Sequence, residues 1–218
     1  MKKASVLIVF LFTIILSYGQ LTSITAEGAY GYIPSNPKYY KKPLAIKMGI
    51  ENWFLPRLAI GINGQIFGTT YEYTKSTGAD EEQELNAVNL AYSINIYSKF
   101  AFVNNDDIRI SVKLEIGAGE ASSKPIIYNT NLSSNTVATT NYKKTSSNLL
   151  HMGIGIQGQY YLTEKWDVCI NINYNNYDFS KTLNQMELNS NWNNDFDKTS
   201  LLSAGIGFHY YIFGTAKR

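Results

Sequence analysis

Hydrophobicity in this chain alternates residue by residue, and that period of two constrains the fold more than any other feature. From residue 108 to 119, Ile108, Ile110, Val112, Leu114, Ile116 and Ala118 fall on one face, and Arg109, Ser111, Lys113, Glu115, Gly117 and Gly119 on the other. A period of two belongs to an extended strand, whose successive side chains point to opposite faces. Leu44, Ile46, Met48 and Ile50 against Ala45, Lys47, Gly49 and Glu51 repeat the pattern. Eight strands are predicted in all, over 23–33, 44–54, 58–70, 87–99, 108–120, 149–162, 167–179 and 201–213.

A strand tilted by about 45° crosses a hydrocarbon layer in ~9 to 11 residues, and each stretch reaches that length. Strands of soluble sheets are mostly shorter, ~5 to 6 residues. The connections fall into two kinds. Residues 55–57 and 163–166 are tight turns, whereas 34–43, 71–86, 121–148 and 180–200 are long. Long and short connections therefore collect at opposite ends, and an even number of strands brings both termini to the short-turn end. That geometry predicts an all-β fold, an eight-stranded antiparallel up-and-down transmembrane β-barrel with periplasmic termini. Closing the sheet on itself leaves no unpaired edge in lipid.

Alternation does not say which face points inward, but side-chain size does. The polar face is rich in Gly, Ala and Ser, and its charges are Glu27, Lys47, Glu51, Arg109, Lys113 and Glu115, three acidic and three basic. Small residues and balanced charges suit the interior of an eight-stranded barrel, which is just wide enough for side chains to fill. The bulky apolar face then meets lipid. Charged residues make up 17% of the chain, below the roughly 25% of soluble domains. The net charge of +2 singles out no partner and gives no basis for nucleic-acid binding. A single cysteine, Cys169, excludes an intramolecular disulfide and sits on the polar face as a small buried thiol.

Lys2 and Lys3 precede an apolar run over 4–16, followed by Ser17, Tyr18 and Gly19. This is the pattern of a secretory signal peptide, and the run is too short to span ~30 Å as a helix. The expected organisation is a signal peptide at 1–19 and one barrel domain at 20–218. Tyr30, Tyr32, Trp53, Tyr71, Tyr73, Tyr160, Trp166, Tyr174, Tyr177, Phe208 and Tyr210 gather toward strand ends and are expected to form aromatic girdles at the membrane boundaries.

The export signal, the eight alternating strands and the ending Gly205-Ile206-Gly207-Phe208-His209-Tyr210-Tyr211-Ile212-Phe213 together resemble the small eight-stranded outer-membrane β-barrel proteins, of the porin family, of Gram-negative bacteria. The chain departs from that pattern in carrying Gly214 to Arg218 after the last aromatic. The resemblance implies the outer membrane, contact with its lipid and lipopolysaccharide, and recognition of the final strand by the outer-membrane assembly machinery. It implies neither an open pore nor any catalytic residue, cofactor or metal.

The interior charges are expected to form a structural network of Glu27, Lys47, Glu51, Arg109, Lys113, Glu115 and His151. Pairing residue 33 near 44 would set Glu27 opposite Gly49 and diagonal to Lys47, an ion pair. Pairing Gly119 near Leu149 would bring Glu115 within diagonal reach of His151. An ion path is the functional alternative, but so narrow a bore leaves little room for water. Some eight-stranded outer-membrane barrels modify lipid A through a His near a Ser and an acid. Here neither His151 nor His209 has a Ser two positions away, and Ser203 is six residues from His209, ~20 Å along a strand. Among the loops, Lys38, Tyr39, Tyr40, Lys41 and Lys42 join cations to aromatic faces and are a candidate binding segment for phosphate-bearing lipid or acidic glycan, though a solvated basic loop is the simpler reading. The acidic run Asp80, Glu81, Glu82 and Glu84 lacks the spaced ligands of a calcium loop and reads as solvated surface. Residues 122–147 and 189–197, rich in Ser, Thr and Asn, are expected to be exposed and mobile. The sequence thus predicts a non-enzymatic barrel with a structural or surface-binding role, with a narrow pore and a lipid A-modifying enzyme as alternatives.

Overall fold

A computed structural model describes residues 21–34, 38–186, 196 and 198–214. The expected export segment at 1–19, and most of the Asn-rich segment at 189–197, lie outside the described residues. Among the described residues nine strands form: β1 (Leu21–Tyr32), β2 (Tyr40–Leu55), β3 (Leu58–Ser76), β4 (Glu81–Asn104), β5 (Ile108–Asn131), β6 (Thr136–Asn141), β7 (Thr145–Tyr161), β8 (Trp166–Asn175) and β9 (Leu201–Phe213). Among the described residues one short helix, α1 (Ser180–Asn184), follows β8. Eight strands pair antiparallel in the ring β1-β2-β3-β4-β5-β7-β8-β9, and β9 closes it against β1. The ninth, β6, lies outside the ring as an extra strand on the far end of β5.

The alternation reads directly as inside and outside. Along β4, burial switches at every residue from Leu85 to Phe102. Leu150 and Ile94 are 70% and 67% exposed on the outer surface, while Ala91 and Asn95 are buried within. Above Val88 the outward positions of β4 turn polar, at Asn86, Glu84 and Glu82, so the apolar band ends there although the strand continues. β4 and β5 run for 24 residues each, about 80 Å at ~3.3 Å per residue. That is more than twice the ~9 to 11 residues a crossing takes.

This changes the expected loops. The 71–86 connection is two continued strands joined by a turn over residues 77–80, where Thr77 N–H donates to Glu81 O (2.9 Å). Asp80 lies in that turn and Glu81 is exposed, in keeping with solvated surface. The 121–148 connection, expected to be a mobile loop, is the end of β5, the whole of β6 and the start of β7. Asn135, in the β5–β6 turn, has a positive φ of 52°, a conformation Asn tolerates. Outside the band a strand no longer needs apolar residues, so the signal used to find strands stops before the strands do.

The seventh predicted strand ends early. At Asn176 the chain leaves the ladder, its N–H donating to Met152 O (2.9 Å), and turns in over the long-loop end of the bore. There Tyr177, Phe179, Leu183 and Met186 are buried in one cluster with Phe67, Tyr71, Leu85, Ile127 and Leu201. Thr199 holds the segment, its Oγ1 accepting from Phe179 N (3.0 Å) and donating to Tyr177 O.

The aromatic girdle needs a matching correction. Tyr30, Tyr32, Tyr160, Trp166, Tyr174, Phe208 and Tyr210 do face outward, and Trp166 and Tyr210 pack together with ring centroids 4.8 Å apart. Trp53, Tyr71 and Tyr177 instead point into the barrel and are buried, and Tyr73 is half-buried against that cluster. Trp53, Tyr71 and Tyr73 carry the inward parity of their strands, Trp53 sharing a face with Lys47 and Glu51, and Tyr177 continues the parity of β8 past its end.

Candidate functional site

The inward residues form layers along the axis. Nearest the short-turn end, Trp53 Nε1 donates to Glu51 Oε1 (2.6 Å) and Tyr97 Oη to Glu51 Oε2 (3.2 Å). Lys99 pairs with the same carboxylate, both side chains fully buried. The Arg109 guanidinium lies 3.8 Å over the Trp53 ring, and its Nε donates to Asn104 Oδ1 (3.2 Å). On the opposite wall, Asp167 accepts from Tyr211 Oη and from Gln159 Nε2 (3.2 Å), and sits 2.8 Å from His209 Nδ1.

The middle layer centres on Glu115. Lys47 and Lys113 reach it at 2.9 and 2.8 Å, and Asn63 Nδ2 donates to it at 3.4 Å. The expected Glu27–Lys47 pair is therefore corrected. The β1–β2 register puts Glu27 directly opposite Lys47 and Thr25 opposite Gly49, two residues from the expected setting. Lys47 then extends across the bore to Glu115, which also binds Lys113. Glu27 is left with amide donors, Gln157 Nε2 (3.3 Å) and Asn171 Nδ2 (3.4 Å).

The Gly119–Leu149 register is as expected, and it places His151 opposite Gly117 and so diagonal to Glu115. Its ring nevertheless goes elsewhere. Nε2 lies 2.7 Å from Asn95 Oδ1 and 3.3 Å from Ser93 Oγ, and the ring stacks on Tyr177 at 4.5 Å. Gly117 makes this approach possible, since a Cβ there would collide with both Asn95 and His151. Tyr177 in turn stacks on Phe67 (5.2 Å), Phe67 meets Phe179 (5.6 Å), and Leu183 and Met186 finish the stack. From Trp53 to Met186, described side chains fill the bore.

Two interior charges escaped the sequence reading. Lys99 and Asp167 share the inward parity of Asn95 and Tyr97, and of Cys169 and Asn171, so alternation alone would have found them. With them the inside holds Lys47, Lys99, Arg109 and Lys113 against Glu27, Glu51, Glu115 and Asp167, still in balance. Harder to foresee is what gathers at His209. Cys169 Sγ lies 3.9 Å from its Nε2, and ligand atoms of Glu27, Cys169 and His209 all fall within 4.8 Å of one another. They come from three strands, so no linear motif announces them.

The candidate binding segment does not hold together as expected. Lys38, Lys41 and Lys42 are exposed, but the tyrosines between them turn toward the barrel. Tyr39 packs on Tyr73 (5.1 Å) and Tyr71 (5.7 Å), and Tyr40 is buried against Tyr71 (5.2 Å). A bulge against β3 between Lys41 and Leu44, with Lys42 at φ 51°, produces the turn.

A closed ring of eight antiparallel strands, apolar outside and filled with paired polar groups inside, defines a transmembrane β-barrel of the outer-membrane type. Among solved structures, the chain is similar to Ail, the attachment invasion locus protein of Yersinia pestis, crystallised with the heparin analogue sucrose octasulfate (15% identity, 88% of this chain and 98% of that one, TM-score 0.45). It is also similar to a major outer membrane protein from Thermus thermophilus (12% identity, 86% and 99%, TM-score 0.48) and to Neisserial surface protein A (14%, 85% and 95%, TM-score 0.36). No protein-family model matches the sequence, and no curated protein does.

Proposed function

We propose that this chain is an integral protein of the outer membrane that does not conduct, and that it serves a structural or surface-presenting role. In this reading residues 1–19 direct export, both termini face the periplasm, and the extended β3–β4 and β5–β6 hairpins project outside the cell as the interaction surface. The observation that carries it is the unbroken filling of the bore, from the Trp53–Arg109 stack through the Glu115 cluster to Phe179 and Leu183. A channel needs a continuous path for water, and an eight-stranded ring has no width to spare once these side chains occupy it. The bore also argues against lipid modification, because His151 and His209 are both buried inside it, away from the lipid-facing surface.

Purified protein reconstituted in planar bilayers is expected to give no steady conductance at any voltage that the bilayer withstands. Discrete, reproducible current steps would replace this reading with the narrow pore. Amino-terminal sequencing of protein recovered from the membrane is expected to begin at Gln20, and a start at Met1 would remove the export signal from the reading.

A further inference from the structure

The chain has one cysteine and two histidines, and the fold sets that cysteine against one of them inside the barrel. We propose that Glu27, Cys169 and His209 form a binding site for a transition-metal ion of the zinc class. The three residues sit on β1, β8 and β9, neighbours in the ring. Gly207 of β9 lies opposite both Glu27 and Cys169. A Cβ there would come within 2.7 Å of Glu27 Cγ and 2.9 Å of Cys169 Sγ, so the missing side chain lets the two donors close over the strand.

Donor chemistry selects the ion. A thiolate beside an imidazole and a carboxylate suits zinc and related ions, whereas magnesium and calcium take oxygen alone. Zn–S near 2.3 Å and Zn–N near 2.0 Å put the two donor atoms of a tetrahedral site about 3.5 Å apart, and Sγ and Nε2 stand 3.9 Å apart. Asp167 Oδ1 lies 2.8 Å from His209 Nδ1, and Gln159 Nε2 lies 2.7 Å from the same nitrogen; in the proposed metal-bound form the carboxylate accepts the Nδ1 proton. Nε2 is then left with its lone pair directed at the cysteine. A carboxylate that fixes the ring from behind in this way is the usual support of a metal-bound histidine.

Two further observations point to a ligand. Among the described residues Glu27 is the one interior glutamate with no cation within ion-pair distance; Glu51 has Lys99, and Glu115 has Lys47 and Lys113. Gln157 is 1% exposed and places Nε2 at 2.9 Å from Cys169 Sγ and 3.3 Å from Glu27 Oε1, while its own Oε1 is buried without a partner. Turning the amide over exchanges two groups of nearly equal size and directs that orphaned oxygen at the cysteine as a fourth donor.

Cys169 and His209 are all but inaccessible, so the ion enters as the barrel closes. The test refolds the untagged chain from urea into detergent with Zn2+ or Co2+ present, strips free ion, and counts bound metal by mass spectrometry on the folded fraction. One ion per chain is expected, with the Co2+ form showing a thiolate-to-cobalt absorption band. Cys169→Ser should abolish the band, Asp167→Asn should weaken retention by roughly 10–100-fold, and His151→Gln should change nothing. Cys169→Ala serves if the serine variant folds poorly. Folded wild-type protein that retains no ion, a cobalt form without the thiolate band, or retention by the cysteine variants equal to that of wild type would overturn the proposal. None of these readouts depends on whether the barrel conducts.

Discussion

The two ends of the bore are filled on different principles. Toward the short-turn end the contents are charged and hydrogen-bonded, with Glu51, Lys99, Asp167 and His209 all fully buried. At the long-loop end they are aromatic and aliphatic, built from Phe67, Tyr177, Phe179, Leu183 and Met186. The first filling is made by the strands themselves, each inward position meeting its partners through the ladder. The second is delivered by a segment that has left the ladder. Burying charge costs more than it returns unless every group is paired, so the polar end depends on the exact set of partners. The apolar end depends on volume, which neighbouring side chains can partly restore.

This contrast gives three graded expectations. Glu115→Gln removes the partner of both Lys47 and Lys113 and leaves two buried cations; it should cost about 3–5 kcal/mol in urea unfolding from lipid vesicles. Combining it with Lys47→Met should recover part of that loss, and an unaltered urea midpoint in the single variant would show that the polar layers are not coupled by charge. Leu183→Ala should cost about 2 kcal/mol, the low end for a buried leucine, because the short segment lies outside the strand ladder and can settle into the space. The same variant should leave the bilayer silent, since the layers beneath remain in place; current steps would make the apolar plug the sole barrier. Lys42→Gly, beside the mouth but outside the filling, should change stability least, with a gain of up to about 1 kcal/mol from relief of its left-handed backbone. A large loss there would show that Lys42 takes part in holding the plug.

The two ends were also unequally legible in the sequence. Period-two alternation marks which residues face inward, so Glu27, Lys47, Glu51, Arg109, Lys113, Glu115 and His151 could be placed inside before any contact was known. It marks Lys99, Asp167 and Trp53 equally well, had parity been applied without regard to residue type. What alternation cannot carry is partnership across the bore. Lys47 lies opposite Glu27 on the neighbouring strand yet reaches Glu115 on β5, because a long side chain in a narrow cylinder is as close to the far wall as to the near one. The plug was hidden for another reason. Tyr177 and Phe179 continue the parity of β8, and only loss of pairing after Asn175 tells that they belong to a turn of chain and not to a strand. The extended hairpins were hidden because strands standing in water need no apolar face.

The seam between β1 and β9 has a consequence for biogenesis. It joins the first membrane-crossing strand to the last, from Thr22 beside Phe213 to Tyr32 beside Leu202. Every other pairing in the ring is between strands adjacent or nearly so in sequence, and a nascent chain could make those piecemeal. The seam must wait for the carboxyl-terminal segment, and until it arrives β1 and β8 each carry a row of bare amides that hydrocarbon cannot solvate. Insertion is therefore an all-or-none event governed by one late zipper, and a polypeptide cut short before Leu201 has no stable intermediate cylinder to fall back on.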